Sequence, residues 1–296
     1  MDPRRIELTA ADGVRLIGHW WPAAGAPPCA TVVINPATGV HARYYHRYAA
    51  YLADNGFSVV TYDYRGIGLS RPASLKGSTF TWRQWGERDF DAALRHALQE
   101  DETGRLLIVG HSIGGFLPGY SPAVGRISAM LSVGGQYGYW GDYLLARRLP
   151  LFLKWHVAMP AITLALGHFP GKRLGWLEDL PKGVAYGWGL QQGRAEQGLS
   201  QEAAEVMCDR FATATGPILS ITMSDDEFAT PKAISRAMRY YRRSPVTKVL
   251  LAPEDLGFAK VGHFDLFHAR HQDGFWRQSL AFLREGENPW GDRVYP

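Results

Sequence analysis

One serine in this sequence stands where its hydroxyl group could act as a nucleophile. Ser112 is the middle residue of Gly-His-Ser-Ile-Gly at 110–114, and this stretch directly follows the continuous apolar run at 106–109. An apolar run of that length without alternation predicts a strand buried on both faces of a parallel sheet. A serine on a sharp turn between such a strand and a helix has a strained backbone and an exposed hydroxyl, which suits nucleophilic attack.

The two glycines that flank Ser112 fit this interpretation. Side chains at Gly110 and Gly114 would crowd the sharp turn, so both positions must be small. The five-residue pattern is weak on its own, because glycine and serine are common residues. Its significance therefore depends on whether the rest of the chain supplies a base and an acid.

Candidates for the acid and the base lie later in the chain. A serine hydroxyl needs a base within hydrogen-bond reach and a carboxylate that orients this base. Asp225 and Asp226 follow the strand-like segment 217–223, and His263 lies in the loop after the last strand-like segment. Open α/β sheets bind ligands beyond the carboxyl ends of their strands, where both loops would lie. We favour Asp226 over Asp225 on reach, since adjacent residues cannot both point at one imidazole, and the residues alone leave the choice open.

The oxyanion of a tetrahedral intermediate would need hydrogen-bond donors, and two backbone N–H groups are usual. The first candidate is Ile113, whose amide lies at a helix N-terminus, where negative charge is favoured. The second should come from the loop at 35–39 after the third strand, where Pro36 has no N–H. We therefore expect Ala37 to be the second donor, with Thr38 as the alternative. A plain turn is the other interpretation of this loop.

Strand-like and helix-like segments alternate along most of the chain. Two strand-like runs at 5–10 and 14–21 surround an Asp-Gly pair, which is typical of a hairpin. Further strands are predicted at 29–34, 57–62, 106–109, 126–133, 217–223 and 246–251, with amphipathic helices around 45–52, 90–98, 231–241 and 276–283. This alternation predicts an α/β fold with a mostly parallel central sheet of about eight strands, flanked by helices.

The alternation breaks between 136 and 202, where aromatic residues, glycine and proline are frequent and no clean strand is visible. We interpret 136–202 as an inserted cap, and 1–135 together with 203–296 as the core. The aromatic side chains of the cap either line an apolar substrate pocket or hold the cap together. They are Tyr137, Tyr139, Trp140, Tyr143, Trp155, Trp176, Tyr186 and Trp188.

The composition is that of a globular chain. Of its 296 residues, 46% are hydrophobic and 20% are charged, and the formal net charge is only +4. This mild balance, with scattered arginines, indicates that nucleic acid is not a partner. The most apolar window, 150–166, is interrupted by Lys154, His156 and Pro160, so we expect no membrane span. With two distant cysteines and no recognisable signal peptide, we expect a cytoplasmic protein without a disulfide framework.

No metal and no other cofactor is predicted. His263, His268 and His271 are close in sequence, but their spacing matches no metal-binding motif and no carboxylate pair completes the set. We interpret His111, beside the serine, as a packing residue that points into the fold. The turn at 63–70 contains aspartate and arginine that tie loops together, and we assign it no chemistry.

With these motifs, the chain resembles the α/β-hydrolase superfamily over nearly its whole length. The elbow at 110–115, the turn Asp-x-Arg-Gly-x-Gly-x-Ser at 63–70 and Gly-His-Phe at 262–264 are similar to turns in that superfamily. The loop that reads His-Gly-x in many members reads Asn-Pro-Ala here, at 35–37. Within the superfamily, the chain is most similar to a poorly characterised bacterial branch of predicted serine hydrolases, near the serine-aminopeptidase-like and monoglyceride-lipase-like groups.

The resemblance implies a site and a reaction. Its acid-bearing strand, which starts at a proline, resembles 217–226 and favours Asp226 as the acid. The implied enzyme is a cofactor-free serine hydrolase in which Ser112 attacks, His263 transfers the proton and Asp226 orients the imidazole. It would cleave an ester, or less favourably an amide or thioester, of a hydrophobic small-molecule acyl substrate through an acyl-enzyme. A cap in the usual place implies that substrate choice resides there.

Two other functions fit the same residues. An acyltransferase would use the same three side chains, with an alcohol or amine in place of water. A ligand-binding homologue would keep the fold without turnover, because fold alone does not determine function. The expected partner is a small-molecule substrate, and the chain is expected to be a monomer or a homodimer.

Overall fold

The computed structural model describes residues 3–25 and 27–296. These residues form one sheet of nine strands. The strands are β1 (Arg4–Thr9), β2 (Arg15–Trp21), β3 (Ala30–Asn35), β4 (Phe57–Tyr62), β5 (Leu106–His111), β6 (Ala129–Val133), β7 (Ile218–Met223), β8 (Val246–Leu251) and β9 (Val294–Tyr295). Across the sheet they are ordered β1-β2-β4-β3-β5-β6-β7-β8-β9.

The middle of the sheet is parallel and fully covered. The strands from β4 across to β8 pair in parallel, whereas β1, β2 and β9 pair antiparallel at the two margins. Every residue of β3, β4, β5 and β7 is buried, as continuous apolar runs in a parallel sheet require. The predicted α/β fold class is confirmed. The described chain has nine strands rather than about eight, because the two-residue β9 is too short to show a pattern in sequence.

Helices connect the strands and cover both faces of the sheet. The α-helices are α1 (His46–Asp54), α2 (Trp82–Gln84), α3 (Asp91–Glu100), α4 (Arg148–Phe152), α5 (Met159–Leu166), α6 (Gly171–Leu174), α7 (Lys182–Gly189), α8 (Gln201–Ala212), α9 (Pro231–Met238) and α10 (Arg277–Glu285). Three π-helical segments, Trp85–Phe90, Leu153–Ala158 and Gln272–Trp276, precede α3, α5 and α10.

The sheet separates two apolar cores. One core contains Tyr48 of α1 and Leu283 of α10, and the other contains Leu94 of α3 and Ile234 of α9. Each of these helices buries the face that its sequence periodicity predicts. The start of α9 is also as predicted, because the side chain of Thr230 accepts a hydrogen bond from the Ala233 amide and Pro231 follows directly.

Segment 136–202 contributes α4 to α7 and, in the described part of the chain, no strand of the central sheet. Phe169 and Leu180 form an isolated bridge within it. One helix in this segment, Leu145–Leu166, is long and apolar enough to cross a membrane by length and composition, with a mean hydropathy of 1.4. Only 22% of its apolar window is buried. The division into core and cap, and the absence of a membrane span, stay predictions.

The turn at 63–70 has the structural role expected for it. Arg65 is 1% exposed, and its guanidinium donates to Asp89 and Asp12 at 2.6 Å. The Asp63 carboxylate accepts hydrogen bonds from two backbone amides, at 2.7 and 2.8 Å. These buried charges tie the loop after β4 to the β1–β2 hairpin and to the π-helical turn before α3.

Replacing Asp89 with alanine should therefore destabilise the protein strongly. The Asp89 side chain is fully buried, and its loss leaves the Arg65 charge short of a buried partner, which costs about 3–5 kcal/mol of unfolding free energy. Glu7→Ala is the matched control, since Glu7 and Arg15 form an exposed pair at 3.6 Å that is worth about 0.2–1 kcal/mol. Urea denaturation measures the unfolding free energy of both variants. Equal losses in the two variants would contradict this account.

Candidate active site

Ser112 occupies a sharp turn directly after β5. Its φ of 55° is the single positive value at a non-glycine position among the described residues, so the backbone is strained here. A Cβ atom at Gly110 would lie 2.4 Å from the carbonyl oxygen of Gly114, and one at Gly114 would lie 2.3 Å from that of Asn35. Both positions exclude a side chain, which confirms the prediction that they must be small.

Three loops bring Ser112, His263 and Asp226 into one hydrogen-bonded series. His263 Nε2 lies 2.9 Å from Ser112 Oγ, and His263 Nδ1 lies 2.6 Å from Asp226 Oδ2. All three residues are buried. Their loops follow β5, β7 and β8, whose carboxyl ends meet at one edge of the sheet. Because a carboxylate only accepts hydrogen bonds, Nδ1 carries the proton and Nε2 is free to accept one from the serine hydroxyl.

Asp226 is held as a charged acceptor. Its Oδ1 accepts hydrogen bonds from the amides of Phe228 and Ala229, both at 2.8 Å. Burial alone would raise the pKa of Asp226, but the attraction of His263 and these hydrogen bonds hold its pKa below the usual value. Asp226 is therefore ionised and can accept the hydrogen bond from His263 Nδ1.

Asp225 has a different task. Its two carboxylate oxygens accept hydrogen bonds from the amides of Val261 and Gly262, both at 2.9 Å. The structure thus brings Asp226 to the ring of His263 and Asp225 to the backbone just before that histidine. Of the two alternatives that the sequence left open, Asp226 is the one in contact with the imidazole.

The two predicted oxyanion donors differ in the structure. The Ile113 amide lies in the first turn of the 3-10 helix Ser112–Gly115, and Ile113 borders the cavity beside the serine. The Ala37 amide instead donates to the hydroxyl of Tyr45 at 2.9 Å. The prediction for Ala37 is wrong, because its N–H group already has an acceptor. Thr38, the alternative, lines the same cavity, and no acceptor within 3–25 and 27–296 pairs with its amide.

A buried hydrogen-bond chain connects the loop after β3 with the histidine loop. Tyr45 Oη lies 2.7 Å from His111 Nδ1, and His111 Nε2 lies 2.9 Å from the carbonyl oxygen of His263. A carbonyl only accepts, so His111 donates through Nε2 and accepts from Tyr45 through Nδ1. Burial lowers the pKa of His111 to about 3, which keeps its ring neutral. His111 is buried as predicted, and it also joins two loops of the site, a role the sequence did not indicate.

Aromatic side chains surround the cavity next to Ser112. Its walls include Trp82, Trp155, Trp176, Trp188, Phe228 and Phe264. Trp155 and Trp188, from segment 136–202, are stacked with centroids 4.4 Å apart. The sequence analysis did not identify the three cavity-lining residues outside that segment, which are Trp82, Phe228 and Phe264. Phe228 and Phe264 follow the acid and the base closely in the chain, which was an available signal, whereas no local pattern marks Trp82.

The histidines near the site are occupied by other partners. His263 is bonded as described, and His271 Nε2 lies 2.5 Å from Asp265 Oδ2. His268 packs edge-on against Tyr44, with ring centroids 5.6 Å apart. In the part of the chain that the structure describes, no group of three or more histidine, cysteine, aspartate or glutamate residues is placed to hold a metal ion.

The chain is similar to known proteins in part of its sequence and in its fold. Residues 26–119 match the family model for serine aminopeptidase, S33. This stretch contains the loop after β3, the turn at 63–70 and the serine elbow. No curated protein sequence matches the chain.

Solved structures resemble nearly the whole chain. An α/β hydrolase, GrgF, from a Penicillium species is 17% identical with a TM-score of 0.62, covering 96% of this chain and 98% of its own. An esterase from Pyrococcus furiosus is 14% identical with a TM-score of 0.60, covering 97% and 91%. The esterase domain of a Rhodothermus marinus protein is 18% identical with a TM-score of 0.59, covering 96% and 98%. The chain therefore has the α/β-hydrolase fold, and the expected resemblance is confirmed.

Removing the Tyr45 hydroxyl should show how much the buried hydrogen-bond chain contributes to stability. Tyr45→Phe leaves the Ala37 amide without its acceptor and His111 without its donor, so we expect a loss of about 1–3 kcal/mol of unfolding free energy. Tyr51→Phe in α1, which begins directly after Tyr45, is the control. The half-buried Tyr51 hydroxyl has no partner in the described chain, so its loss should change stability by less than about 0.5 kcal/mol. Chemical denaturation measures the unfolding free energy of both variants, and equal losses would contradict this account.

Proposed function

We propose that this chain, which has the α/β-hydrolase fold, is a cofactor-free serine hydrolase that cleaves an ester of a hydrophobic small-molecule substrate. One observation carries the proposal: two hydrogen bonds in series, 2.9 Å from Ser112 to His263 and 2.6 Å from His263 to Asp226. This series supports a serine activated by a histidine that an aspartate orients. The match of residues 26–119 to a serine aminopeptidase family supports the same reaction class.

In the proposed first half-reaction, Ser112 Oγ attacks the carbonyl carbon of the ester. His263 Nε2 takes the hydroxyl proton as the new bond forms, and Asp226 stabilises the resulting imidazolium. The negative oxygen of the tetrahedral intermediate accepts hydrogen bonds from the amides of Ile113 and Thr38. His263 then returns the proton to the departing alcohol, and an acyl-enzyme remains on the serine.

In the second half-reaction, water takes the place of the alcohol. His263 removes a proton from the water as its oxygen attacks the acyl carbon, and the same two amides hold the second oxyanion. Collapse of this intermediate protonates Ser112 and releases the carboxylic acid. The neutral His111 and the Tyr45 hydroxyl hold the two loops of the site in register throughout and exchange no proton with the substrate.

The cavity supports a small acyl group. Only about 60 Å³ lies open next to Ser112, against roughly 300–1,000 Å³ for ordinary ligand pockets. A second cavity of about 160 Å³ shares Trp82 and Ile113 with the first as walls. It is otherwise lined mainly by apolar and aromatic side chains, among them Phe116 and Tyr137. We infer that Trp82 separates a short acyl site from an apolar space that a longer chain would fill.

Ser112→Ala tests the reaction. The variant should hydrolyse p-nitrophenyl acetate roughly a thousandfold more slowly or worse, because the nucleophile is gone while the fold remains. A fluorophosphonate should label the unmodified protein on Ser112, as peptide mass spectrometry can verify, and should leave the variant unlabelled. Unchanged turnover in a folded variant would end the proposal.

Product analysis with an added alcohol or amine separates hydrolysis from acyl transfer, since a transferase forms a new ester or amide instead of the free acid.

Trp82→Ala tests the chain-length inference. Joining the two cavities should raise kcat/KM for p-nitrophenyl octanoate relative to the acetate by roughly tenfold or more, on the scale of selectivity in apolar pockets. Trp82→Phe should give a smaller change in the same direction. Trp140→Ala is the control, because Trp140 is 38% exposed and belongs to neither set of cavity walls. An unchanged preference in folded Trp82→Ala protein would show that Trp82 does not limit the acyl chain.

A further inference from the structure

The helix Leu145–Leu166 turns one face to the protein and the opposite face to solvent. Its buried side chains recur at every fourth residue and are at most 5% exposed: Leu151, Trp155, Met159 and Thr163. Four of its exposed aliphatic side chains follow the same spacing two residues away, and a fifth follows seven residues later in the last turn: Leu145, Leu149, Leu153, Val157 and then Leu164, at 76, 67, 50, 46 and 72% exposed. We call these five residues the apolar ridge.

A π-helical segment helps to keep the ridge on one face. In an α-helix a step of four residues slightly exceeds one turn, so a row with that spacing would drift around the helix. The segment Leu153–Ala158 is π-helical and has more residues per turn, which offsets this drift in the middle of the helix. The ridge therefore runs along the solvent side for about 30 Å at the rise of a helix.

Such a ridge is unfavourable in water. Scattered exposed leucines are ordinary on a protein surface, and Leu69 and Leu190 are examples, at 56 and 62% exposed. Large aliphatic side chains aligned on one face instead mark a contact with another apolar phase. The sequence offers no local compensation, because the exposed positions Ala161 and Ala165 extend the same apolar face.

The charge around the ridge fits an anionic surface. The stretch 145–166 contains no acidic residue, but it contains Arg147, Arg148 and Lys154. Beyond its carboxyl end, an open cavity of about 450 Å³ borders Leu166 and is lined by the cations Lys76, Lys172 and Arg173. Positive groups thus lie at both ends of the apolar row, in the arrangement of helices that bind lipid headgroups.

The carboxylates near the ridge are already paired with cations. Glu227 lies 3.1 Å from Arg147, and Asp179, which lines the basic cavity, lies 2.8 Å from Arg71. Glu178 lies 3.2 Å from Lys172 and 2.9 Å from His41. These pairs leave Lys76 and Arg173 at one end to meet negative charge, whereas Arg148 at the other end donates to the Tyr143 carbonyl oxygen at 3.3 Å.

We propose that the apolar ridge docks on the surface of a bilayer that contains anionic lipid. The helix would lie in the headgroup plane, with the ridge among the upper acyl carbons and the flanking cations at the phosphates. It would not span the bilayer, because Trp155 and Met159 on its other face are packed in the protein core. Trp155 also borders the cavity at Ser112, so docking places the candidate active site one helix away from the lipid.

Vesicle sedimentation tests the docking independently of catalysis. The full chain carrying Ser112→Ala is mixed with sucrose-loaded vesicles of phosphatidylcholine and phosphatidylglycerol, and with vesicles of phosphatidylcholine alone. Leu149→Gln combined with Leu153→Gln should lower partitioning to the mixed vesicles roughly tenfold or more. Leu69→Gln combined with Leu190→Gln is the matched control and should leave partitioning unchanged. Binding should be weaker on pure phosphatidylcholine and should fall as salt is added.

Three outcomes would overturn the proposal. The first is that the parent chain does not partition to mixed vesicles, and the second is that the ridge and control variants lose partitioning equally. The third is that no chain binds vesicles and analytical ultracentrifugation shows a dimer of the parent chain that is lost only in the ridge variant. The last result would assign the ridge to a second copy of the chain. Unfolding midpoints establish that each variant is folded. Because the parent chain lacks the nucleophile, failure of docking leaves the proposed ester hydrolysis untouched.

Discussion

The backbone after β5 lies against the backbone at the end of β3, and the candidate site depends on this close approach. A side chain at Gly114 would overlap the Asn35 carbonyl, so the contact exists only because glycine is there. The Asn35 side chain reinforces it by donating to the Gly114 carbonyl at 3.2 Å while accepting from Tyr62 at 2.8 Å. A backbone held from both sides can sustain the positive φ of Ser112, which would relax in a looser turn. The sheet thereby supplies the energy that keeps the hydroxyl in position.

Polar groups inside the site are satisfied in pairs, and each pair joins different elements of the fold. Asp225 and Asp226, adjacent after β7, fix the backbone and the ring of the same histidine loop. His111 and Tyr45 join that loop to the one after β3. In the low dielectric of the protein interior, leaving one of these polar groups without its partner would cost more unfolding free energy than the hydrogen bond itself contributes. The geometry of His263 is therefore determined by contacts from three sides.

Much of this arrangement follows from local sequence. Continuous apolar runs identify the parallel strands. Ser112 and Asp226 come shortly after such runs and His263 lies in the loop after β8, so topology brings the three to one edge of the sheet. The second oxyanion donor did not follow in this way. Ala37 has the right place in the chain, but its amide is bonded to a hydroxyl that Tyr45 brings back from eight residues further on. Trp82 becomes a wall of the cavity only through packing, and β9 is too short for any periodicity.

Burying neutral imidazoles makes this molecule sensitive to acid. Burial lowers the pKa of His111 to about 3, and the pKa values of His46 and His156 to about 4, from an ordinary 6.5. The unfolded chain therefore binds more protons than the folded one as the pH falls from about 6.5 to about 3, and each proton taken up favours unfolding. The His111 ring, which joins two loops of the site at neutral pH, thus belongs to a set of buried imidazoles that limits the acidity in which the chain can stay folded.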